Sequence, residues 1–259
     1  MTIIAAPGRR AVSWRALLPR EHGSWSLAFE PLALGLIVAP SWSGAALAAG
    51  AAALFFARRP WQAARAGDVR VRMAAAALIV LGAGAVMLLG VSVASARGPA
   101  GFALLAALPA GATFAWCDRR KAGREVIAEL AGAAFFAVFP AAIAVAAGRT
   151  WPVAAALASF AFTRSLTSIL PIRAFLRQRK GAHPLRWPPV AVACAAGLIF
   201  TTLAATTARW IPAAWTIVFA GRTIWLLGSH APTWSARRLG LAEACLGFTV
   251  TVTTGLSFR

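Results

Sequence analysis

The 259-residue chain has no tyrosine, three cysteines, three histidines and only seven acidic residues. Cys117, Cys194 and Cys245 are far apart and odd in number, which excludes a disulfide framework and a cysteine-based zinc site. The only aspartates are Asp68 and Asp118, so no two aspartates lie within four positions of each other. A Mg²⁺–diphosphate site needs several carboxylates around each metal, and that pattern is absent. There is no Walker A loop, no GxGxxG after a strand, no HExxH and no His/Cys metal spacing. No cofactor and no metal are expected. Charged residues make up 13% and hydrophobic ones 60%, against about 25% and 45–50% in a soluble domain. That balance excludes a disordered chain and argues strongly against a soluble one.

What is present is a series of apolar runs near membrane length, about 20 residues. They fall at about 24–41, 42–57, 73–96, 98–116, 125–147, 151–175, 188–208, 210–228 and 238–257. They are rich in Ala, Leu, Val, Ile and Phe and show no period-2 alternation, so helices are favoured over a β-barrel. The expected fold is all-α, a polytopic membrane helical bundle of about nine transmembrane helices. Eight or ten is the neighbouring count, because 73–116 and 188–228 each hold two runs joined by a very short turn. Residues 1–23 form a basic cytoplasmic N-terminal segment and 24–259 a single bundle. A cleavable signal peptide is the weaker reading of the first run, which contains Glu30 and Pro31.

The 26 Lys and Arg give a net charge of +19. They are not spread evenly. The N-terminal segment and the loops after spans two, four, six and eight hold twenty of them. The other side holds four: Arg97, Arg149, Arg209 and Arg259. An alternation of this kind is the positive-inside signal. It places the N-terminus in the cytoplasm and the C-terminus outside, in a bacterial cytoplasmic (inner) membrane. Trp42, Trp61, Trp116, Trp151, Trp187, Trp210 and Trp234 fall at or near span ends, where an indole keeps its N–H among headgroups. No contiguous soluble domain exists to carry a nucleic-acid role, so the basic charge reads as orientation and attraction to anionic lipid.

Ionisable residues within spans are costly and mark cavities or partners. They are Glu30, Glu129, Arg164, Arg222 and Glu243. All lie in the cytoplasmic half or near the centre, which suggests a polar cavity opening to the cytoplasm. Pro171 is expected to break the helix of Arg164 and admit water. The structural alternative is that the three acids and two bases pair as clips between helices. A second patch is Pro19-Arg20-Glu21-His22-Gly23-Ser24-Trp25, at the mouth of span one. A Glu–His pair there can carry a proton, orient a substrate or cap the helix. A third is Arg58-Arg59-Pro60 with Arg173, two basic rims. Arginine forks suit phosphate and carboxylate, while orientation charge is the plainer explanation.

The segment Pro19 to Trp25, followed by Pro31-Leu32 and Gly35, resembles the opening of the YwiC-like family of bacterial membrane proteins, P-x-[QE]-H-G-x-W. Phe56 to Pro60, Glu129 to Ala133, and Ile172 to Arg177 with Arg179-Lys180-Gly181 are similar too. The family carries no assigned reaction, but the resemblance raises the interest of His22, Trp25, Arg59, Glu129 and Arg173. A more distant likeness is to the UbiA-type prenyltransferase fold. It implies nine helices, a cytoplasmic N-terminus and a cavity open to the cytoplasm. The two Asp-rich motifs of that fold correspond here to Arg58-Arg59-Pro60-Trp61-Gln62 and to the run from Arg164 to Arg173, basic where the fold is acidic.

The expectation is therefore an amphiphile-binding protein, its ligand anionic or of prenyl/quinone type. Arg58, Arg59, Arg164, Arg173 and Arg222 contact an anion, with Glu30, Glu129, Glu243 and Trp25 at the ligand and Glu21/His22 as the proton-handling pair. An enzyme of this kind is a prenyltransferase-like transferase without the Asp-rich motifs. The partner expected is a membrane lipid or lipid-like small molecule, with no nucleic acid. The alternative is a small-solute or proton-coupled transporter, with Glu30, Glu129, Glu243 and Arg164 as a relay.

Overall fold

A computed structural model describes residue 17 and residues 22–65, 71–120, 122–123, 125–181, 187–207, 210–228 and 233–259. Among the described residues every regular element is a helix. They are α1 (His22–Val38), α2 (Trp42–Arg65), α3 (Val71–Ala94), α4 (Ala100–Leu105), α5 (Leu108–Arg119), α6 (Val126–Ala137), α7 (Phe139–Ala146), α8 (Trp151–Arg179), α9 (Trp187–Thr207), α10 (Trp210–Leu227) and α11 (Ala236–Ser257). Two of these boundaries lie inside a span. Pro109 and Pro140 sit in the first turn of α5 and α7, where a missing N–H is tolerated, so the chain restarts its helix there. With α4–α5 and α6–α7 each taken as one rod, the described helices make nine rods, close to the runs read from hydropathy.

Six of these rods are long and apolar enough to cross a membrane: Arg72–Ala94, Ala100–Arg119, Val126–Ala146, Trp151–Arg179, Trp210–Leu227 and Ala236–Ser257. The molecule is a multi-pass membrane bundle. α1, at 17 residues, is about 25 Å long, short of the ~30 Å hydrocarbon layer. α2 does not stop at residue 57; it runs on through Arg58, Arg59 and Pro60 to Arg65. α8 likewise passes Pro171 without breaking and ends at Arg179. The expected break fails because the carbonyl that Pro171 cannot reach, Thr167 O, accepts a hydrogen bond from Arg222 Nη1 at 2.8 Å.

Long-range contacts sort the helix ends into two groups. At one end the C-terminus of α2 meets that of α5 through Arg58 and Asp118, α8 meets α6 through Arg173 and Glu129, and Arg179 of α8 donates to Trp234 O just before α11. Most of the described basic residues sit at this end. At the opposite end Ser43 donates to Ala146 O, Arg149 Nη2 to Val38 O at 3.1 Å, and Arg259 Nε to Ile37 O at 2.8 Å. Two of the basic residues on the sparse side thus satisfy terminal carbonyls of α1, a favourable place for a cation. Trp42, Trp151 and Trp210 stand exposed at the start of their helices.

The core centres on α1, α7 and α8. All eight residues of α7 are buried, and small side chains let the rods approach closely. A methyl at Gly35 would meet Ile143 Cδ1 at 2.8 Å and the Pro140 backbone at 2.9 Å. By contrast α3 lies along α2 and turns Ile79, Val80, Val86 and Met87 outward, as a lipid-facing helix does. Gly82 on α3 has nothing within 4 Å of a built Cβ. Gly35→Ala is therefore expected to destabilise the bundle by about 1–3 kcal/mol, while Gly82→Ala is neutral or slightly stabilising. Thermal unfolding of the two variants in one detergent checks this; equal melting temperatures would contradict the packing described.

Candidate functional site

Arg164 lies near the middle of α8 and is buried, with 5% of its surface exposed. A guanidinium in such a place needs several acceptors, and three helices supply them. Its Nη1 donates to Ser168 Oγ one turn along α8, and its Nη2 to the Glu243 carbonyl of α11 at 3.2 Å. The same Nη2 lies 3.6 Å from Glu30 Oε2 of α1, an ion pair without a hydrogen bond. Its guanidinium carbon stands 5.7 Å over the Phe219 ring of α10. Close approach to α11 depends on Gly247, one turn after Glu243. A Cβ there would strike Glu30 Oε1 and lie 2.6 Å from Arg164 Nη2, so only glycine leaves the space open.

Glu243 is the joint of the cluster. Its Oε2 accepts from Ser168 Oγ at 2.7 Å and its Oε1 from Arg222 Nε of α10 at 2.5 Å. Arg222 reaches on to the Thr167 carbonyl. Glu30, Arg164, Arg222 and Glu243 therefore form one quartet across α1, α8, α10 and α11. With all four ionised it carries no net charge. Glu30 and Glu243 lie about 10–12 Å along their helices from the basic end of the bundle. Three buried polar atoms of the quartet have no hydrogen-bond partner: Glu30 Oε1, Arg164 Nε and Arg222 Nη2. Each such atom costs stability unless something meets it.

The remaining predicted residues fall elsewhere. Glu129 pairs with Arg173 at 2.8 Å, both about one-third exposed, and not with the quartet. Arg58 holds Asp118 by two bonds of 2.9 Å, Nε to Oδ2 and Nη2 to Oδ1, and Gln62 adds a third at 3.2 Å. Its guanidinium also covers the Phe114 ring at 4.8 Å. Arg59 follows on α2, half-buried. Trp25 stacks on Phe29 at 5.6 Å and meets Phe55 and Phe56 edge-on, the start of an aromatic run reaching Phe135, Phe136 and Phe139. Glu21 lies outside the described residues, as does the side chain of His22, whose backbone opens α1.

Sequence reasoning missed Ser168, the Thr167 carbonyl, Gly247 and Asp118. A proline four residues after Thr167 was the available signal for the carbonyl. Among the described residues no three His, Cys, Asp or Glu gather as a metal-binding group.

The two kinds of ion pair should differ in energetic weight. Glu243→Ala leaves Arg164, Ser168 and Arg222 facing a void and is expected to cost about 3–5 kcal/mol, as breaking a buried pair does. Glu129→Ala breaks a pair open to its surroundings and is expected to cost about 1 kcal/mol or less. Unfolding in mixed micelles measures both; similar losses would show that the quartet is not the tighter joint.

No curated protein and no solved structure matches the chain. One family model does, over residues 18–144, with the description YwiC-like protein. The matched segment runs from before α1 into α7 and holds Trp25, Glu30, Arg58, Arg59, Asp118 and Glu129. Arg164, Arg173, Arg222 and Glu243 lie beyond it, as does the similarity read from Ile172 to Gly181. Through residues 18–144 the chain is similar to the YwiC-like family.

Proposed function

We propose that this YwiC-like membrane protein binds an amphiphile, anionic or of prenyl/quinone type, with the polar headgroup at the Glu30–Arg164–Arg222–Glu243 quartet. One observation carries the reading. Two guanidinium N–H donors and one carboxylate oxygen are buried in the quartet without partners, on side chains whose other atoms are held by neighbouring helices. Ready-made polar atoms in an apolar bundle are what a small-molecule site presents. The protein sits in a bacterial inner membrane with its N-terminus cytoplasmic and its C-terminus outside, and the headgroup approaches from the cytoplasmic end. The concentration of basic residues there supports that orientation. Nine rods and an intramembrane polar cluster are compatible with a UbiA-like arrangement, which is a likeness of fold and carries no reaction by itself. Glu21 and His22 are the residues for proton handling.

A second reading, a small-solute or proton-coupled transporter, is favoured by the interruptions at Ala106–Ala107 and Val138, since discontinuous helices are common in transporters. It ranks second because Glu129 pairs with Arg173, so the four residues of a relay do not form one chain of contacts.

Native mass spectrometry with lipid extraction, on protein purified in mild detergent, tests the first reading. One amphiphile is expected at one copy per chain, and it should be lost in Arg164→Ala. Arg222→Lys, which keeps the charge but replaces the guanidinium fork with one ammonium, should weaken retention while the fold survives. Wild-type protein carrying only bulk phospholipid would overturn the reading and turn attention to solute flux.

A further inference from the structure

We infer that the headgroup taken by the quartet is uncharged and carries a hydroxyl, as a phenol, a quinol or a lipid alcohol does; the inference rests on the amphiphile-binding reading above. The argument is a count of donors, acceptors and charge. Arg164 uses Nη1 on Ser168 and Nη2 on the Glu243 carbonyl, which leaves Nε. Arg222 uses Nε on Glu243 and Nη1 on the Thr167 carbonyl, which leaves Nη2. Glu30 turns Oε2 toward Arg164 and has the Ser26 hydroxyl of its own helix beside the carboxylate, while Oε1 itself makes no hydrogen bond. The atoms left without any partner are two guanidinium nitrogens and one carboxylate oxygen. A hydroxyl answers both kinds, donating its proton to Glu30 Oε1 and accepting from a guanidinium N–H.

A carboxylate or a fully ionised phosphate fits less well on both counts. It has no proton to give, so Glu30 Oε1 stays unmet and faces another anion. The two arginines are also already balanced by two glutamates, so an anion would leave the site with net negative charge in a medium of low dielectric. The missing side chain at Gly247 matters here, because the Glu30 carboxylate and the Arg164 guanidinium occupy the place a Cβ would take, which sets where Glu30 Oε1 lies. The arginine count of the sequence suggested an anion; the pairing of those arginines points to a neutral group.

The experiment uses the full chain in mild detergent and three probes: dodecylphenol, dioctanoylglycerol and farnesyl monophosphate. Binding is read by thermal shift and native mass spectrometry. At least one hydroxyl probe is expected to bind about tenfold or more tightly than farnesyl monophosphate. Preference for dodecylphenol identifies a quinol-type source, and preference for dioctanoylglycerol a glyceride. Glu30→Gln gives the quartet one net positive charge and should move the preference about tenfold toward farnesyl monophosphate, a shift that a purely structural glutamate would not produce. Farnesyl monophosphate binding the wild type as tightly as the hydroxyl probes would overturn the inference and leave amphiphile binding standing. If no probe binds and no native amphiphile is retained, both fall. If Glu30→Gln does not fold, the wild-type ratio decides alone.

Discussion

A charge inside an apolar bundle has to be met by an opposite charge or a hydrogen bond at contact distance, because neither water nor ions are there to screen it. Much of this molecule's arrangement follows from that requirement. Of the five acidic residues among those described, Glu30, Asp118, Glu129 and Glu243 each face an arginine from another helix. The pairs tie α1 to α8, α2 to α5, α6 to α8 and α10 to α11. α8 is the common member, since Arg164 and Arg173 both lie on it and Arg222 reaches its Thr167 carbonyl. Helix order in the bundle is thus fixed by a few acids as much as by apolar packing, which in lipid has no strong preference among partners.

The same requirement explains local features that look like defects in the sequence. A proline in the middle of a span removes a donor and leaves a carbonyl without its helical partner. At Pro171 that carbonyl becomes the acceptor for Arg222, so the proline creates a binding position for an arginine and the helix stays continuous. At Gly247 the absence of a side chain exposes the Glu243 carbonyl to Arg164. At the other end of the bundle, Arg149 and Arg259 close the terminal carbonyls of α1. Basic residues on the sparse side are kept where they have a structural task.

The rods were legible in the chain, because hydropathy is a pattern along one dimension. The nine apolar runs lie close to the nine rods, and Glu30, Arg164, Arg222 and Glu243 were among the ionisable positions read within them. The pairings were not legible. Which arginine meets which glutamate depends on which helices are neighbours and on their rotation, and neither is written in local sequence. Asp118 shows the difficulty. As a lone aspartate at a span end it carried no motif, yet it takes two hydrogen bonds from Arg58 across sixty positions. The end of α2 was misread for a related reason: Arg58 and Arg59 look like a loop to a hydropathy count, while α2 continues through both to Arg65.

Counting arginines therefore overstates the anion-binding capacity of a membrane protein. Arg58, Arg164, Arg173 and Arg222 each lie against a carboxylate. What remains for a ligand is set by the atoms left without partners, and those are few and of both signs. A run of basic residues inside a membrane bundle need not make an anion site. When each added base brings its own acid, the local field returns to neutral, and recognition passes from net charge to the direction of individual hydrogen bonds. In the quartet those atoms are two guanidinium nitrogens and one carboxylate oxygen, on α1, α8 and α10.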